Sequence, residues 1–387
     1  MVLKNFSKTI KDFFSQKETI PSGLYSYQTP PEEKEQYRLH LRVEKDGCGL
    51  LVINASTVLH LNQTAVEYAY HIIKQTSEAE VIHQTSRRYQ VGKEQVRLDF
   101  GAFQNKIQTL IMTNDLDPVT YLDIERQEPY SAEISAPYRL DCALTYEVNQ
   151  EDLREYAPLD RVDRELTTDE WIAVMQKAYK NGIPHLLFTG GEPTLREDLP
   201  ELLMKAEELG LVTGLLTDGL KLGDDKYRNT LLMSGLDHLM VLFDPEKDQT
   251  WNILEKVLAE DLFTTVHLTL TKGKQLQPGI KRLSEMGANA LSLSTTDEDL
   301  QDELQSLQDY AAIHQLELVW DMPVPYSRNN PVTLEMKRAE TTAPPEGAGK
   351  AWLYVEPDGD VLPAQGMYNQ ILGNILEDSW EDIWQKE

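Results

Sequence analysis

Along residues 137–322, short apolar runs alternate with longer segments whose apolar positions recur every three or four residues. A short run predicts a buried parallel strand, and a longer segment predicts a helix with one apolar face. The predicted strands are Tyr138–Tyr146, His185–Thr189, Val212–Thr217, His238–Phe243, Phe263–Thr271 and Ala290–Ser294. The predicted helices lie near Thr168–Asn181, Leu199–Leu209, Lys226–Ser234, Thr250–Glu260, Pro278–Met286 and Asp299–His314. These six units, with a seventh strand at Leu316–Asp321, predict an α/β fold, a partial (β/α)6 TIM-like barrel.

The first part of the chain has a different pattern. Tyr37–Val43 alternates apolar and polar residues, Asp46-Gly47 is a turn signal and Gly49–Asn54 returns, which predicts a β-hairpin. An apolar helical stripe follows over Leu59–Ile73, and a second helix is predicted near Glu78–Arg88. We therefore expect four parts: a helix and linker at 1–36, a small domain at 37–112, the barrel at 137–322 and an extension at 323–387.

The leading segment has apolar and lysine residues at helical spacing, followed by prolines and a glycine that indicate a linker. Two interpretations of the helix stay open: it docks on its own protein, or it rests on a membrane surface or a partner. The residues are Phe6, Ile10, Phe13 and Phe14 with Lys4, Lys8, Lys11 and Lys17, then Pro21, Gly23, Pro30 and Pro31.

Charge and cysteine content exclude several classes of protein. The formal net charge of the 387 residues is -27, so we expect neither a nucleic-acid role nor general adhesion to anionic lipid. No apolar run has membrane-spanning length and no secretory signal pattern is visible, so we expect no transmembrane segment and a cytoplasmic location. The two cysteines, Cys48 and Cys142, suffice neither for a disulfide framework nor for a multi-thiolate zinc site.

Candidate chemistry gathers where the predicted strands end, because active sites of such barrels lie at the carboxyl ends of the strands. The most informative stretch is Leu186–Leu195, an apolar run that ends in Gly190-Gly191-Glu192. Two consecutive glycines let the backbone approach a ligand, and the Glu192 carboxylate can pair with an ammonium group. The alternative is a strand-to-helix loop that needs glycine only for its geometry.

These motifs resemble the radical S-adenosylmethionine superfamily. The resemblance rests on the strand that carries Cys142, on the turn Gly190-Gly191-Glu192-Pro193 and on Leu216-Thr217-Asp218-Gly219. The carboxyl-terminal Glu356-Pro357-Asp358-Gly359-Asp360, with Leu372-Gly373-Asn374 after it, resembles the SPASM or twitch extension of the peptide-modifying branch. The hairpin followed by Leu61-Asn62-Gln63-Thr64-Ala65 resembles the winged-helix domain with which such systems recognise peptides.

In that family a Cys-x3-Cys-x2-Cys loop after the first strand holds a 4Fe-4S cluster, which cleaves bound S-adenosylmethionine to a radical. Cys142, Tyr146 and Asn149 occupy the matching positions here, so two of the three thiolates are absent. Phenol and carboxamide groups are poor ligands for this iron. Ala364 stands where the extension would begin its auxiliary-cluster cysteines. We therefore expect no metal bound by this chain alone.

The resemblance leaves S-adenosylmethionine itself as a candidate ligand. It implies that Gly190, Gly191 and Glu192 hold the amino group of this molecule and that Asp218 replaces the usual asparagine. Ser292 and Ser294 match the positions of ribose-contacting groups, and plain strand-end polarity is the alternative for this pair. His185, His238 and His267 begin or lie within strands and are expected to be structural.

The family places a leader peptide as an added strand on the edge of the hairpin, and the alternative is a purely structural cap. Two hypotheses about function follow. One is a non-enzymatic relative that binds a peptide, a partner protein or S-adenosylmethionine as a scaffold. The other is an active radical enzyme whose cluster is completed by a partner chain or by non-cysteine ligands. A third option is cluster-free acid/base chemistry by Tyr146, Glu147 and Asp218.

Overall fold

The computed structural model describes residues 20–384, apart from 31, 55–56, 113–133, 150, 296, 320–321 and 334–343. The chain divides into two compact units, Met1–Ile134 and Ser135–Glu387. The basic helix expected around Phe6–Phe14 lies outside the described residues. Within the described part, no helix combines the length and the apolar character needed to cross a bilayer.

Unit one contains a four-stranded antiparallel sheet followed by three helices. The strands are β1 (Gly23–Gln28), β2 (Arg38–Val43), β3 (Gly49–Ile53) and β4 (Thr57–Leu61), and they are ordered β1-β2-β3-β4. The helices are α1 (Gln63–Ile73), α2 (Glu78–Tyr89) and α3 (Lys93–Met112). Helix α1 begins where the side chain of Asn62 accepts a hydrogen bond from the backbone N–H of Ala65, at 3.0 Å.

The core of unit one lies between α1 and one face of this sheet. Alternate residues of each strand reach it, as the period of two requires, and Tyr25 and Tyr27 of β1 pack against it. Residues 23–28 are therefore a strand, and their assignment to the linker of segment 1–36 was wrong. Because β1 pairs with β2 and β4 pairs with β3, both strands of the predicted hairpin are interior. The edges of the sheet are β1 and β4.

Unit two is the partial barrel. Its parallel strands are β5 (Arg139–Thr145), β6 (His185–Gly190), β7 (Val212–Thr217), β8 (His238–Leu242), β9 (Phe263–Leu270), β10 (Ala290–Thr295) and β11 (Glu317–Leu318). The intervening helices are α4 (Thr168–Lys180), α5 (Leu199–Glu208), α6 (Asp225–Met233), α7 (Asp248–Leu258), α8 (Gln277–Glu285) and α9 (Gln301–Ile313). Neighbouring strands follow chain order from β5 to β11, which confirms the predicted fold class. The seventh strand is shorter than predicted.

The carboxyl-terminal residues extend this sheet beyond β5. Strand β12 (Trp352–Val355) pairs with β5 in parallel, and β13 (Asp360–Leu362) and β14 (Gly373–Asn374) follow antiparallel. Pro357, Asp358 and Gly359 lie in the turn between β12 and β13. A short helix, α10 (Trp380–Trp384), ends the described chain, and the indole N–H of Trp380 donates to the carbonyl of Ser135 at 3.2 Å.

The two faces of β5 have different surroundings. Leu140, Cys142 and Leu144 belong to the large apolar core that the flanking helices complete. Residues 141, 143 and 145 alternate with them and face the barrel interior, where Ala143 joins a separate cluster with Tyr146 and Tyr354. This alternation decides which side chains of β5 are available to a ligand.

Candidate functional site

The Gly190-Gly191 turn is packed directly against the residues that follow β5. The backbone N–H of Gly191 donates to the carbonyl of Thr145, and that of Glu192 donates to the carbonyl of Glu147, both at 2.8 Å. A Cβ on Gly190, whose φ is +118°, would lie 2.2 Å from the Thr145 oxygen, and a Cβ on Gly191 would lie 2.1 Å from the Glu147 oxygen. The chain's own backbone therefore accounts for both glycines.

Glu192 lies at the end of β6 and is 2% exposed. Its Oε1 accepts hydrogen bonds from the N–H of Thr194 at 2.9 Å and from the hydroxyl of Thr217 at 2.8 Å. Its Oε2 accepts from the N–H of Asp218 at 2.7 Å. Burial, with the nearby Asp218 charge, raises the pKa of Glu192 to about 8, although these donors partly offset the rise. The carboxyl group joins the ends of β6 and β7.

Asp218 continues the network toward the loop after β5. Its Oδ2 accepts from the side-chain amide of Asn149 at 2.7 Å, and its Oδ1 accepts from the N–H of Leu220 at 2.9 Å. Among the residues singled out from the sequence, Asn149, Glu192 and Asp218 are thus brought together. We call these three residues the Glu192 network. Its carboxylate oxygens are hydrogen-bonded within the chain.

Ser292 and Ser294 bind a different residue. The hydroxyls of these two β10 residues each lie 3.0 Å from a ring nitrogen of His267 on β9, Nδ1 and Nε2 respectively. Burial lowers the pKa of His267 to about 4, so the ring is neutral near pH 7. The serines therefore fix the orientation of a buried imidazole.

His185 and His238 lie at the amino ends of their strands, away from the Glu192 network, because each is the first residue of its strand. Their Nε2 atoms are 2.6 Å apart, and the His238 ring lies over Gly214, where a Cβ would be 2.1 Å from His238 Cε1. Burial lowers the pKa of both rings. Two neutral imidazoles at this distance share one hydrogen bond.

The residues at the expected cluster-ligand positions do not share a face. Cys142 is 1% exposed within the core of β5, where its thiol lies 3.8 Å from the carbonyl of Leu140, and burial raises its pKa. Tyr146 is also buried, and its hydroxyl donates to Glu356 Oε1 at 3.0 Å. Of the three residues, Asn149 alone belongs to the Glu192 network, through its hydrogen bond to Asp218. The structure therefore does not bring these three side chains together at one site.

A cluster held by this chain's own thiolates does not fit these residues. The sequence has no cysteine after Cys142, and Cys142 faces the core. A carboxylate offers about four acceptor positions, and Glu192 accepts three hydrogen bonds within the chain, so about one position remains for the ammonium group of S-adenosylmethionine. The raised pKa of Glu192 favours its neutral form, which attracts an ammonium group less strongly than a carboxylate does.

One buried ion pair was not predicted from the sequence. The guanidinium of Arg161 donates to Glu356 Oε1 at 2.5 Å and to Oε2 at 2.6 Å, and it lies 4.3 Å from the ring centre of Tyr368. Glu356 follows β12, so the pair lies at the same end of the sheet as Tyr146. Its two residues are 195 positions apart, and nothing in the local patterns links them.

Comparison with known proteins agrees with the architecture. Residues 142–273 match the model of the radical SAM superfamily. The crystal structure of Streptococcus suis SuiB bound to precursor peptide SuiA is 16% identical, with a TM-score of 0.58 over 92% of this chain and 88% of that one. The structure of SuiB bound to S-adenosylmethionine is 15% identical, with a TM-score of 0.56 over the same shares. At these identities the similarity shows a common fold.

Proposed function

We propose that this chain, whose residues 142–273 form a radical SAM domain, is a peptide-binding scaffold of a peptide-modification system and holds no iron-sulfur cluster by itself. The observation that carries the proposal is the position of Cys142. This residue supplies the only thiol of unit two, and its side chain is enclosed by the core on the helix side of β5. A cluster of this kind needs several thiolate ligands at one exposed mouth.

The alternative is an active radical enzyme with unusual ligation. It requires ligands from a partner chain or from oxygen and nitrogen side chains, which bind this type of iron weakly. Asn149 is hydrogen-bonded to Asp218 and Tyr146 to Glu356, so recruiting either would first break a described contact. The scaffold needs no such rearrangement.

Two features support a peptide as the partner. SuiB, which has the same fold, is bound to a precursor peptide in one of its structures. In unit one of this chain, β1 and β4 are the edge strands of the sheet, and an edge strand can accept an extended peptide through backbone hydrogen bonds. The peptide would therefore add beside β1 or β4, and the two strands of the originally predicted hairpin would stay interior.

Anaerobic reconstitution with iron and sulfide tests the missing cluster. We expect the wild-type chain to retain no stoichiometric iron and no visible charge-transfer absorbance, in the same way as a Cys142→Ala control. Iron and absorbance that are present in the wild type and lost in Cys142→Ala would establish a cluster ligated by that thiol. Iron retained equally by both would indicate ligands other than Cys142, and either result would contradict the proposal.

Peptide binding needs a separate measurement. A random-sequence display library selected on the purified chain should enrich a peptide, and that peptide should slow amide hydrogen exchange in β1 or β4. Slowed exchange in the barrel alone, or no enrichment, would contradict binding at the sheet edge.

Binding of S-adenosylmethionine is tested by calorimetry. Any affinity that the wild type has for this molecule should be lost in Glu192→Ala, and unchanged affinity would exclude Glu192 as a ligand group.

A further inference from the structure

The buried pair of Arg161 and Glu356 belongs to a larger set of contacts at the loop after β5. The phenol groups of Tyr326 and Tyr368 are hydrogen-bonded to each other, and the ring of Tyr146 lies edge-on to that of Tyr326, with centres 5.7 Å apart. We call Tyr146, Arg161, Tyr326, Glu356 and Tyr368 the clamp. It connects the segment that ends at Arg161 with the carboxyl-terminal extension.

The carboxylate of the clamp is buried, and its guanidinium group is partly buried. Glu356 is 1% exposed and Arg161 is 25% exposed, and both guanidinium-carboxylate contacts are present. The tyrosines, with Ala157 and Leu362, form one buried cluster around this pair. Paired, hydrogen-bonded charges of this kind resist separation, because a carboxylate left alone in such a site is strongly disfavoured.

We infer that the clamp holds residues 153–162 in place and does so without metal, so that the position of this segment is a property of the polypeptide alone. The inference rests on the proposed function, in which no cluster organises this loop. Arg161 and Tyr146 both contact Glu356, which lies 195 positions after Arg161 and 210 positions after Tyr146. Side-chain contacts at both ends of the loop would thus take over the ordering role that a bound cluster would otherwise have.

The chain offers a matched control on the same loop. Arg154 forms an ion pair with Glu147, but these side chains are 39% and 47% exposed. Exposed pairs contribute little, since water and salt compete for both charges. Arg154→Met and Arg161→Met therefore remove the same kind of side chain from an exposed pair and from the clamp.

Hydrogen exchange of residues 153–162, measured on chelator-treated protein of verified iron content, tests the inference. We expect slow exchange in the wild type, at least tenfold faster exchange in Arg161→Met and less than threefold change in Arg154→Met. Arg161→Met combined with Glu356→Met should exchange more slowly than Arg161→Met alone, because the unpaired carboxylate is gone. If Arg161→Met does not fold, Arg161→Lys replaces it in the experiment. We expect residues 153–162 to exchange faster in Arg161→Lys than in the wild type and in Arg154→Met, since lysine cannot bind both carboxylate oxygens with a planar guanidinium group.

Equal effects of Arg154→Met and Arg161→Met would overturn the clamp. So would rapid exchange of residues 153–162 in iron-free wild type that becomes slow only after reconstitution. The experiments can contradict the role of the clamp and the proposed function independently of each other. A reconstituted cluster with unchanged exchange would refute the missing cluster and leave the clamp standing, whereas fast exchange without any iron uptake would refute only the clamp.

Discussion

Two buried carboxyl groups at the same end of the sheet are stabilised in different ways. Glu192, after β6, is surrounded by neutral donors, namely two backbone N–H groups and the hydroxyl of Thr217. Glu356, after β12, faces the guanidinium of Arg161. Burial raises the pKa of both groups, but only Glu356 has a cation as counterweight. Neutral donors form hydrogen bonds with a carboxylate but do not balance its charge. We therefore expect the stability of the Glu192 network to depend on pH, and the stability of the clamp to depend on Arg161.

The largest effect should come from the Gly190-Gly191 turn, which precedes Glu192. Gly191→Ala would place a Cβ 2.1 Å from the Glu147 carbonyl oxygen, and this oxygen belongs to backbone that cannot easily move. We expect a loss of about 3 kcal/mol in the free energy of unfolding, measured by denaturant titration. Gly210→Ala is the control, because its Cβ would meet nothing within 4 Å and only the positive φ is strained. Similar losses for both would contradict close packing at Gly191.

The stability of the protein should also depend on pH through Glu192. Since folding raises its pKa from 4.5 to about 8, the protonated form is favoured in the folded chain. This stability is fully present below the ordinary pKa and is lost as pH rises toward 8, at a slope of at most about 1.4 kcal/mol per pH unit. Glu192→Gln lacks the titrating group, so the wild type should lose stability relative to this variant between pH 5 and 8. A constant difference would refute the raised pKa.

Removing one neutral donor should have a moderate effect. The Thr217 hydroxyl donates to Glu192 and accepts from the N–H of Gly219 at 3.1 Å, so Thr217→Val deletes both bonds while keeping the shape. We expect a loss of about 2 kcal/mol by thermal or chemical unfolding, because buried partners stay unsatisfied. A loss below about 0.5 kcal/mol would mean that water or a neighbouring group replaces the hydroxyl.

The smallest effect should be at the other carboxyl group. Tyr146→Phe removes the hydroxyl that donates to Glu356, but the guanidinium of Arg161 still binds both carboxylate oxygens. We expect a loss of about 1 kcal/mol, less than for Thr217→Val. A larger loss for Tyr146→Phe than for Thr217→Val in the same unfolding experiment would contradict the idea that Arg161 makes Glu356 less dependent on its neutral donor than Glu192 is.

The barrel was predictable because each strand is a short apolar run and each helix has apolar residues at helical spacing, and the strand ends were located to within a few residues. Strand β1 was missed since the glycine and prolines around Tyr25 and Tyr27 suggest a linker. The side of β5 on which Cys142 lies could not be predicted from the motif. Spacing along the sequence identifies a motif, but the alternation of a strand determines the side to which each residue points. The contact of Arg161 with Glu356 depends on tertiary packing, which no local pattern encodes.

The pairing of β12 with β5 also has a consequence for synthesis on the ribosome. Strand β5 emerges early, whereas its partner on that side, Trp352–Val355, lies near the carboxyl end of the chain. Until then, one edge of β5 has no strand to pair with. Unpaired strand edges promote aggregation of nascent chains. Translation that stops before β12 should therefore release a barrel with an open edge, a substrate for chaperones and proteases.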